Sequence, residues 1–544
     1  MEGSRFQREL AQHLLEERRA GRISRRELLR VATVFGLGAP LLAACGGGSP
    51  ASKGAAEPPR RGGVLRVGSP APTAAIEPVT MFDAGAIAAV QQVAEYLTWT
   101  NTDLTLRPVL AERWEPDASA RQWTFHLRRG VQFSNGQAMT ADDVVATFDR
   151  LTDPKSQSAA LSNFKGVLRK GQVEKVDPAT VRFHLDRPFA DFPYLVGSSN
   201  YNTVILPKGY NGDFERHPVG TGPFLLTRLV AKQRATFQRN PGYWQRNLPY
   251  LDGVQFTFYA QTPPSELAVQ GGQIDVLVMA PVKGSPLYSD PNVTVATAPS
   301  TSYNEFHMRV DTPPWSDKRV RQAMALALDR QGLVAALTDG TAQLGNDHVF
   351  APAFPHSPAG QVPQRSQDLE QARRLLRDAA AAGARVTLQT QDIGDFPNYA
   401  TLVQQAAKSI GLQMANPRIV PQAQYYGSGD NQPWLQVPAG IVDWAARAIP
   451  SQFFGSAFVS DGIWNSAHWR NPSFDRLARQ YDATLDVQSR SAIARQMATI
   501  QRDEVPAVIA YWIDAARAMR KPVRGVQPDG ASFLDLTGAW LAST

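Results

Sequence analysis

Cysteine is almost missing from this chain: 544 residues carry one, at position 45. A single thiol excludes an intramolecular disulfide framework, a Cys-based zinc site and a Cys-ligated iron–sulfur cluster. Long apolar runs are missing as well. None reaches the roughly 20 residues a helix needs to span a bilayer, so a polytopic membrane protein is excluded. A concentrated basic stripe is also missing. The net charge of +7 divides into +3 over residues 1–44 and +4 over the remaining 500, a mixed and solvated surface. No nucleic-acid partner is expected of it. Catalytic signatures are missing in turn: there is no G-x-S-x-G elbow, no H-E-x-x-H and no P-loop. Seven of the eight His follow residue 44, and no two sit at helical ligand spacing. Gly220-Thr221-Gly222-Pro223 is too short and too broken by Pro to cradle a dinucleotide. No enzyme activity, no cofactor and no metal site is expected.

What is present begins with an address. Ser24 to Arg30 is charged and holds the adjacent pair Arg25 and Arg26. An apolar stretch of 14 residues, Val31 to Ala44, ends at Leu42-Ala43-Ala44-Cys45. A charged region, a short apolar region and small residues before a cut describe an export signal. The Arg pair resembles the twin-arginine signal, and Leu-Ala-Ala-Cys resembles a bacterial lipobox, which would make Cys45 the lipidated N-terminus. Residues 45–63 are rich in Gly, Pro and Ala and read as a flexible tether.

Apolar residues make up 43% of the chain and charged residues 19%, enough to bury large cores. A short strand starts at Val64, and apolar spacing predicts a helix over Ala86–Leu97. Trp123–Leu127 and Val181–Leu185 alternate with period two, with His126 and His184 on the polar phase. Thr140 with Asp143 reads as a capped helix start. Phe224 to about Tyr259 is β-rich and broken by turns at Asn240-Pro241-Gly242 and Asp252-Gly253. Ser316 is expected to cap one helix and Asp368 another. The alternation of helices and strands from about 311 to 505 suggests an α/β unit with a partly parallel sheet.

Aromatic residues mark a ligand site. Trp434, Trp444, Phe453, Phe454, Phe458, Trp464 and Trp469 fall within 36 residues, interleaved with Asp443, Arg447, Asp461 and Asn465. Taken singly, each reads first as core. Together, large apolar faces beside a few polar groups are what a concave site requires.

Several blocks resemble the family 5 solute-binding proteins of bacterial ABC importers, which include dipeptide-, oligopeptide- and nickel-binding proteins. They are Arg107–Trp114, Trp123–Gly136, Thr140–Val144, Gly220–Phe224, Asn240–Trp244, Pro314–Ala323 with Asp329-Arg330, Asn465–Trp469 and Asn471–Asp475. The resemblance implies an α/β fold of the periplasmic-binding-protein type (type II, cluster C-like), two-lobed, with an extra inserted β-rich domain. Domain I would be 64–94 plus 214–310 plus 506–544, the inserted domain II 95–213, and domain III 311–505. It also implies a lipid-anchored, extracytoplasmic monomer. Such a protein captures a peptide or other small organic ligand between domains I and III and delivers it to the permease and ATPase subunits. An exported sensor or chaperone accessory, or a hydrolase, on the same scaffold is the alternative use.

Crossovers near Val310 and Val505 would form the hinge. Tyr303, Asn304, Tyr511 and Trp512 would line the cleft beside it, with Asp443, Trp444, Arg447, Trp464 and Asn465. In peptide-binding relatives, a Trp-x-x-Asp run supplies a carboxylate for the peptide's amino group. Here the run is Trp444-Ala445-Ala446-Arg447, a cation in place of the anion. If residues 443–447 are helical, Asp443 and Arg447 pair with each other. If they are extended, Arg447 is left to accept a carboxylate or phosphate by bidentate hydrogen bonds.

A Cys45→Ser chain is expected to lose lipid labelling and to appear in the soluble fraction. Retention in membranes after a high-salt wash would refute the lipobox reading.

Overall fold

The computed structural model describes residues 57–427, 432–529 and 533–543. Arg25, Arg26, Cys45 and most of the expected tether lie outside the described residues. The tether is shorter than its composition suggests. The Gly62 amide donates to the Tyr250 carbonyl at 2.9 Å and the Gly63 amide to Asp252 at 3.0 Å, so these two glycines dock on the body.

Among the described residues, twelve strands form one mixed sheet. Its spatial order runs Arg418–Val420, Gln389–Gln391, Ala439–Trp444, Val293–Met308, Tyr511–Arg520, Val276–Leu277, Val64–Pro70, Gly253–Tyr259, Arg234–Arg239, Phe224–Val230. Two short strands, Ala342–Leu344 and Ala507–Ile509, join its middle. The 16-residue strand Val293–Met308 is the common member. Its first half pairs antiparallel with Tyr511–Arg520, and its second half pairs with Ala507–Ile509 and Ala439–Trp444. The register shifts between Ala298 and Ser302, around Pro299. The expected crossovers at Val310 and Val505 therefore lie beyond the point where this strand changes partners.

Among the described residues, three large hydrophobic cores correspond to three parts of this layout, and a smaller cluster forms around Val269, Ile274 and Leu287. One packs Val64–Pro70 and the helix Ala84–Val93 against Phe237, Val254 and Phe256. A second lies under the separate four-stranded sheet that contains Gln122–Leu127 and Thr180–His184. A third, in two adjoining clusters, fills the region between Tyr303 and Trp512. His126 and His184 face outward onto Glu115 and Glu174, as the alternation predicts. The Thr140–Asp143 capping box is present. Asp368 caps Leu369–Asp378. Ser316 does not cap its helix: Asp317 does, accepting from the Arg319 amide, because its carboxylate is the stronger acceptor at the helix start. The helix expected over Ala86–Leu97 spans Ala84–Val93, capped by Asp83. After the helix that Asp368 caps, Arg385–Val386 pairs parallel with Gln413–Met414, and Gln389–Gln391 parallel with Arg418–Val420. The 311–505 region thus holds the parallel pairs its alternation suggested.

The motif blocks are explained by packing. A Cβ on Gly220 would sit 2.1 Å from the Val93 carbonyl oxygen, so only glycine lets this loop close on the helix end. Beside it, buried Glu95 accepts from Thr221 (2.9 Å), Tyr243 (2.7 Å) and the Trp244 indole (2.8 Å). The Gly-Thr-Gly-Pro and Asn-Pro-Gly-Tyr-Trp blocks therefore meet on one carboxyl group. Arg321 donates to the carbonyls of Trp315 (2.7 Å) and Glu504 (2.8 Å). Arg330 holds both oxygens of fully buried Asp347 at 2.8 Å, and Arg365 adds a third contact at 2.8 Å.

Removing one partner of such a buried network strands the others without compensation. Asp347→Asn is expected to destabilise the fold by about 3–5 kcal/mol, read as a lower urea midpoint with an unchanged slope. A shift below ~1 kcal/mol would show that Arg330 and Arg365 find water instead.

Candidate ligand-binding cleft

The strand Ala439–Trp444 alternates as the sheet requires: Val442 and Trp444 are buried and Asp443 is exposed. It pairs with the common strand so that Tyr303 lies opposite Trp444 and Asn304 opposite Asp443. The two rings stack, with centroids 6.1 Å apart and planes at 14°. Phe453 and Trp512 close on Tyr303 edge-on at 5.2 and 4.8 Å. Together these rings form a rigid aromatic floor.

The chain leaves the sheet after Trp444, and residues 445–448 are irregular. The helical alternative for residues 443–447 is therefore absent, and Asp443 and Arg447 form no ion pair. Asp443 instead accepts from the Tyr426 hydroxyl and from Gln391 at 2.8 Å. The backbone of Arg447 is clamped by Thr301: its amide donates to the Thr301 hydroxyl at 2.9 Å, and that hydroxyl donates to its carbonyl at 2.7 Å. Thr301 lies in the register break of the common strand, so the Arg447 position is fixed by the strand that runs through both halves of the sheet. Burial lowers the pKa of the Arg447 guanidinium, opposed by the neighbouring Tyr201 and Tyr303 hydroxyls. No carboxylate pairs with it among the described residues.

Three cavities meet at Arg447. One, of about 410 Å³, is walled by Tyr426, Trp434, Trp444 and Trp464 with Asp443 at its side. A second, of about 270 Å³, runs past Tyr201, Gln452, Ser456 and Trp464. The third is lined by Thr100, Pro299, Ser300, Thr301 and Phe533. The lining comes from all three parts of the fold.

Of the residues singled out in the sequence, Asp443, Trp444, Arg447 and Trp464 are brought together around one cavity. Tyr303 and Trp512 are fully buried in the floor beneath it. Tyr511 is buried against Tyr399, with its hydroxyl 3.4 Å from the Asn304 amide. Neither Tyr511 nor Trp512 lines the cleft as expected, because both belong to the sheet's core. Asn465 does not line it either. Its side-chain amide is engaged with the Trp469 backbone, donating at 2.7 Å and accepting at 3.0 Å, and so shapes its own turn. Phe453, Phe454, Phe458 and Trp469 are core. Sequence reading missed Tyr426, which lies eight residues before Trp434, and Gln391 and Tyr201, which are more distant in sequence from the aromatic segment. Tyr426 carried no signal beyond the Tyr pair it belongs to.

Under the floor lies Glu305, fully buried, with Ser466 at 3.5 Å. The Trp444 indole N–H lies close enough to favour its ionised form, yet misses hydrogen-bond geometry. Burial dominates and raises the Glu305 pKa to about 8. The nearby His307 is driven the other way, to about 3, also by burial. Among the described residues, no group of three or more His, Cys, Asp or Glu is placed to hold a metal ion.

A family model described as bacterial extracellular solute-binding proteins, family 5, matches residues 105–466. A di/tripeptide-binding protein of Pseudomonas aeruginosa is 25% identical over 447 residues, covering 76% of this chain and 82% of its own. A glutathione-binding protein of Salmonella typhimurium is 26% identical over 494 residues, covering 87% and 93%. The solved structure of HbpA2 from Haemophilus parasuis superposes with a TM-score of 0.76 at 23% identity, covering 88% of this chain and all of that one.

A carboxyl group raised from 4.5 to about 8 favours the protonated fold. Its stabilising share is full below pH 4.5 and is lost as pH rises through about 8. Stability is therefore expected to fall across that window by up to ~1.4 kcal/mol per pH unit from this group. Glu305→Gln is expected to flatten the slope and to be the more stable form at pH 8. Parallel pH–stability curves for the two proteins would refute this.

Proposed function

The chain belongs to the bacterial extracellular solute-binding proteins of family 5, and from that premise we propose that it captures a peptide-like solute carrying an anionic group and hands it to an ABC permease. One observation carries the choice of ligand: Arg447 stands at the junction of three cavities with no carboxylate partner among the described residues. A part-buried guanidinium without a counter-ion is costly, and a ligand carboxylate or phosphate offsets that cost by bidentate hydrogen bonds. The relatives' names, di/tripeptide-binding and glutathione-binding, fit a small peptide-like acid.

On this reading, Asp443, Trp444, Arg447 and Trp464 are the ligand-contacting members of the site. Tyr303 and Trp512 support them from below, and Asn304, Tyr511 and Asn465 hold the frame. The body divides into domain I (64–94, 214–310, 506–544), an inserted domain II (95–213) and domain III (311–505). Closure turns on the Ala298–Ser302 break rather than on Val310. The protein is a monomer exported by way of Arg25 and Arg26 and anchored by lipid on Cys45. A plain receptor is preferred to a hydrolase, since the cleft's groups suit charge pairing and stacking.

Arg447→Ala is expected to weaken binding of an N-acetylated dipeptide, which has a carboxylate and no amine, by about a hundredfold or more, the scale of a lost charged partner. Calorimetry reads the affinity. Small-angle scattering reads the compaction that accompanies ligand in the unaltered protein and is expected to be lost in the variant. Equal affinity in both proteins would sink the proposal.

A further inference from the structure

The cavity beside Arg447 has a second chemical character that an anion alone does not use. Trp444 and Trp464 stand edge to face, with centroids 5.9 Å apart at 62°. Tyr426 and Trp434 do the same at 5.8 Å and 71°. Both pairs wall the same space. Two ring pairs, each near a right angle, offer π-faces in several directions. Asp443 lies between them on the exposed phase of its strand and is held in place by the Tyr426 hydroxyl and Gln391. No Lys, Arg or His pairs with it among the described residues.

Aromatic faces around an oriented carboxylate attract a cation. The kind of cation follows from what the walls can accept. A primary ammonium needs three hydrogen-bond acceptors. Here one Asp443 oxygen already takes two donors, and among the described residues the rest of the wall is mainly ring carbon, Val442 and Ala445, with Gln432 another side chain that offers an acceptor. A methylated ammonium has few or no N–H groups to satisfy and spreads its charge over methyl groups that pack on ring faces. Arg447, lining the same cavity, would repel a bare cation, so the cation has to arrive on a molecule that also carries an anion.

We infer that the cleft selects zwitterions whose positive end is a tri- or dimethylated ammonium, boxed by Trp434, Trp444, Trp464 and Tyr426 beside Asp443, and whose negative end lies on Arg447. The second half rests on the anion reading above. The first half stands on the ring pairs and Asp443.

Three probes separate the two: alanyl-alanine, its N-acetyl derivative and its N-trimethyl derivative. All share one carboxylate and differ only at the amino end. Calorimetry on the full folded protein is expected to show the trimethyl dipeptide binding about tenfold or more tighter than either of the others. Trp464→Ala and Asp443→Asn, checked for unaltered melting, are expected to erase that preference, bringing the trimethyl and N-acetyl peptides to within about twofold of each other in the same variant. Equal or tighter binding of the free amine overturns the inference. So does equal binding of the N-acetyl form, or failure of the trimethyl peptide to bind. If Arg447→Ala abolishes N-acetyl binding while no trimethyl preference exists, the anion reading stands and the methylammonium box falls. If the preference survives in Arg447→Ala with carboxylate affinity unchanged, the box stands and the anion reading falls.

Discussion

The structure depends on one strand. Val293–Met308 pairs first with Tyr511–Arg520 and then with Ala439–Trp444 and Ala507–Ile509. A strand that is hydrogen-bonded along both halves transmits position from one core to the other. Where it changes partners, its ladder is interrupted between Ala298 and Ser302. A ladder gap leaves backbone groups to be satisfied another way. From within that gap, the Thr301 side chain bonds both backbone groups of Arg447 with one hydroxyl. The cleft's central cation is thereby tied to the weakest point of the strand that joins the halves. Any change of angle there moves Arg447 with it.

Much of this was legible in the sequence because it is local. The period-two alternation of Trp123–Leu127 and the Thr140–Asp143 box are properties of neighbouring residues, and both appear as read. Errors came where two adjacent residues compete. Ser316 and Asp317 both suit a helix start, and the stronger acceptor caps it. At the site, Trp444 and Trp464 were legible as aromatics among polar residues. Asn465 was misleading for the same reason: an Asn in that company reads as a ligand contact, but its amide closes its own turn. Tyr511 and Trp512 follow Ala510 in a strand whose both faces are covered, so proximity to the cleft in sequence became burial in the core. Tyr426 and Gln391 were not legible. Gln391 reaches Asp443 because its strand neighbours Ala439–Trp444, and Tyr426 reaches it from the short helix Gln422–Tyr426 that follows the next strand, which no local pattern reports.

The aromatic floor has a thermodynamic consequence. Tyr303, Trp444, Phe453 and Trp512 contact one another at centroid distances of 4.8 to 6.4 Å. Such a layer is stiff and poorly hydrated, so its upper surface is arranged before a ligand arrives. Beneath it, Glu305 keeps its proton through the neutral range because burial favours the uncharged acid. A neutral group there adds no charge beneath Arg447 and Asp443. An ionised Glu305 would add a negative charge below Trp444 and partly cancel the guanidinium's attraction for an anion.

If the cleft closes over its ligand as proposed, this arrangement gives a physical reason for the two to be linked. A ligand shifts a conformational equilibrium only by binding one state better than the other. When the cleft is open, water solvates Arg447 and Asp443, and neither charge strongly favours a bound molecule. Closing removes that water, which raises the cost of each unpaired charge and strengthens each paired one. An empty closed cleft therefore holds one uncompensated guanidinium and one carboxylate without a cation. A molecule that carries complementary charges at both ends converts both costs into attractions, and does so only in the closed state. An apolar molecule of the same size would gain the ring contacts but leave the charges stranded. On the proposed function, selectivity and closure would have the same origin, the desolvation of two opposite charges held apart on an aromatic surface.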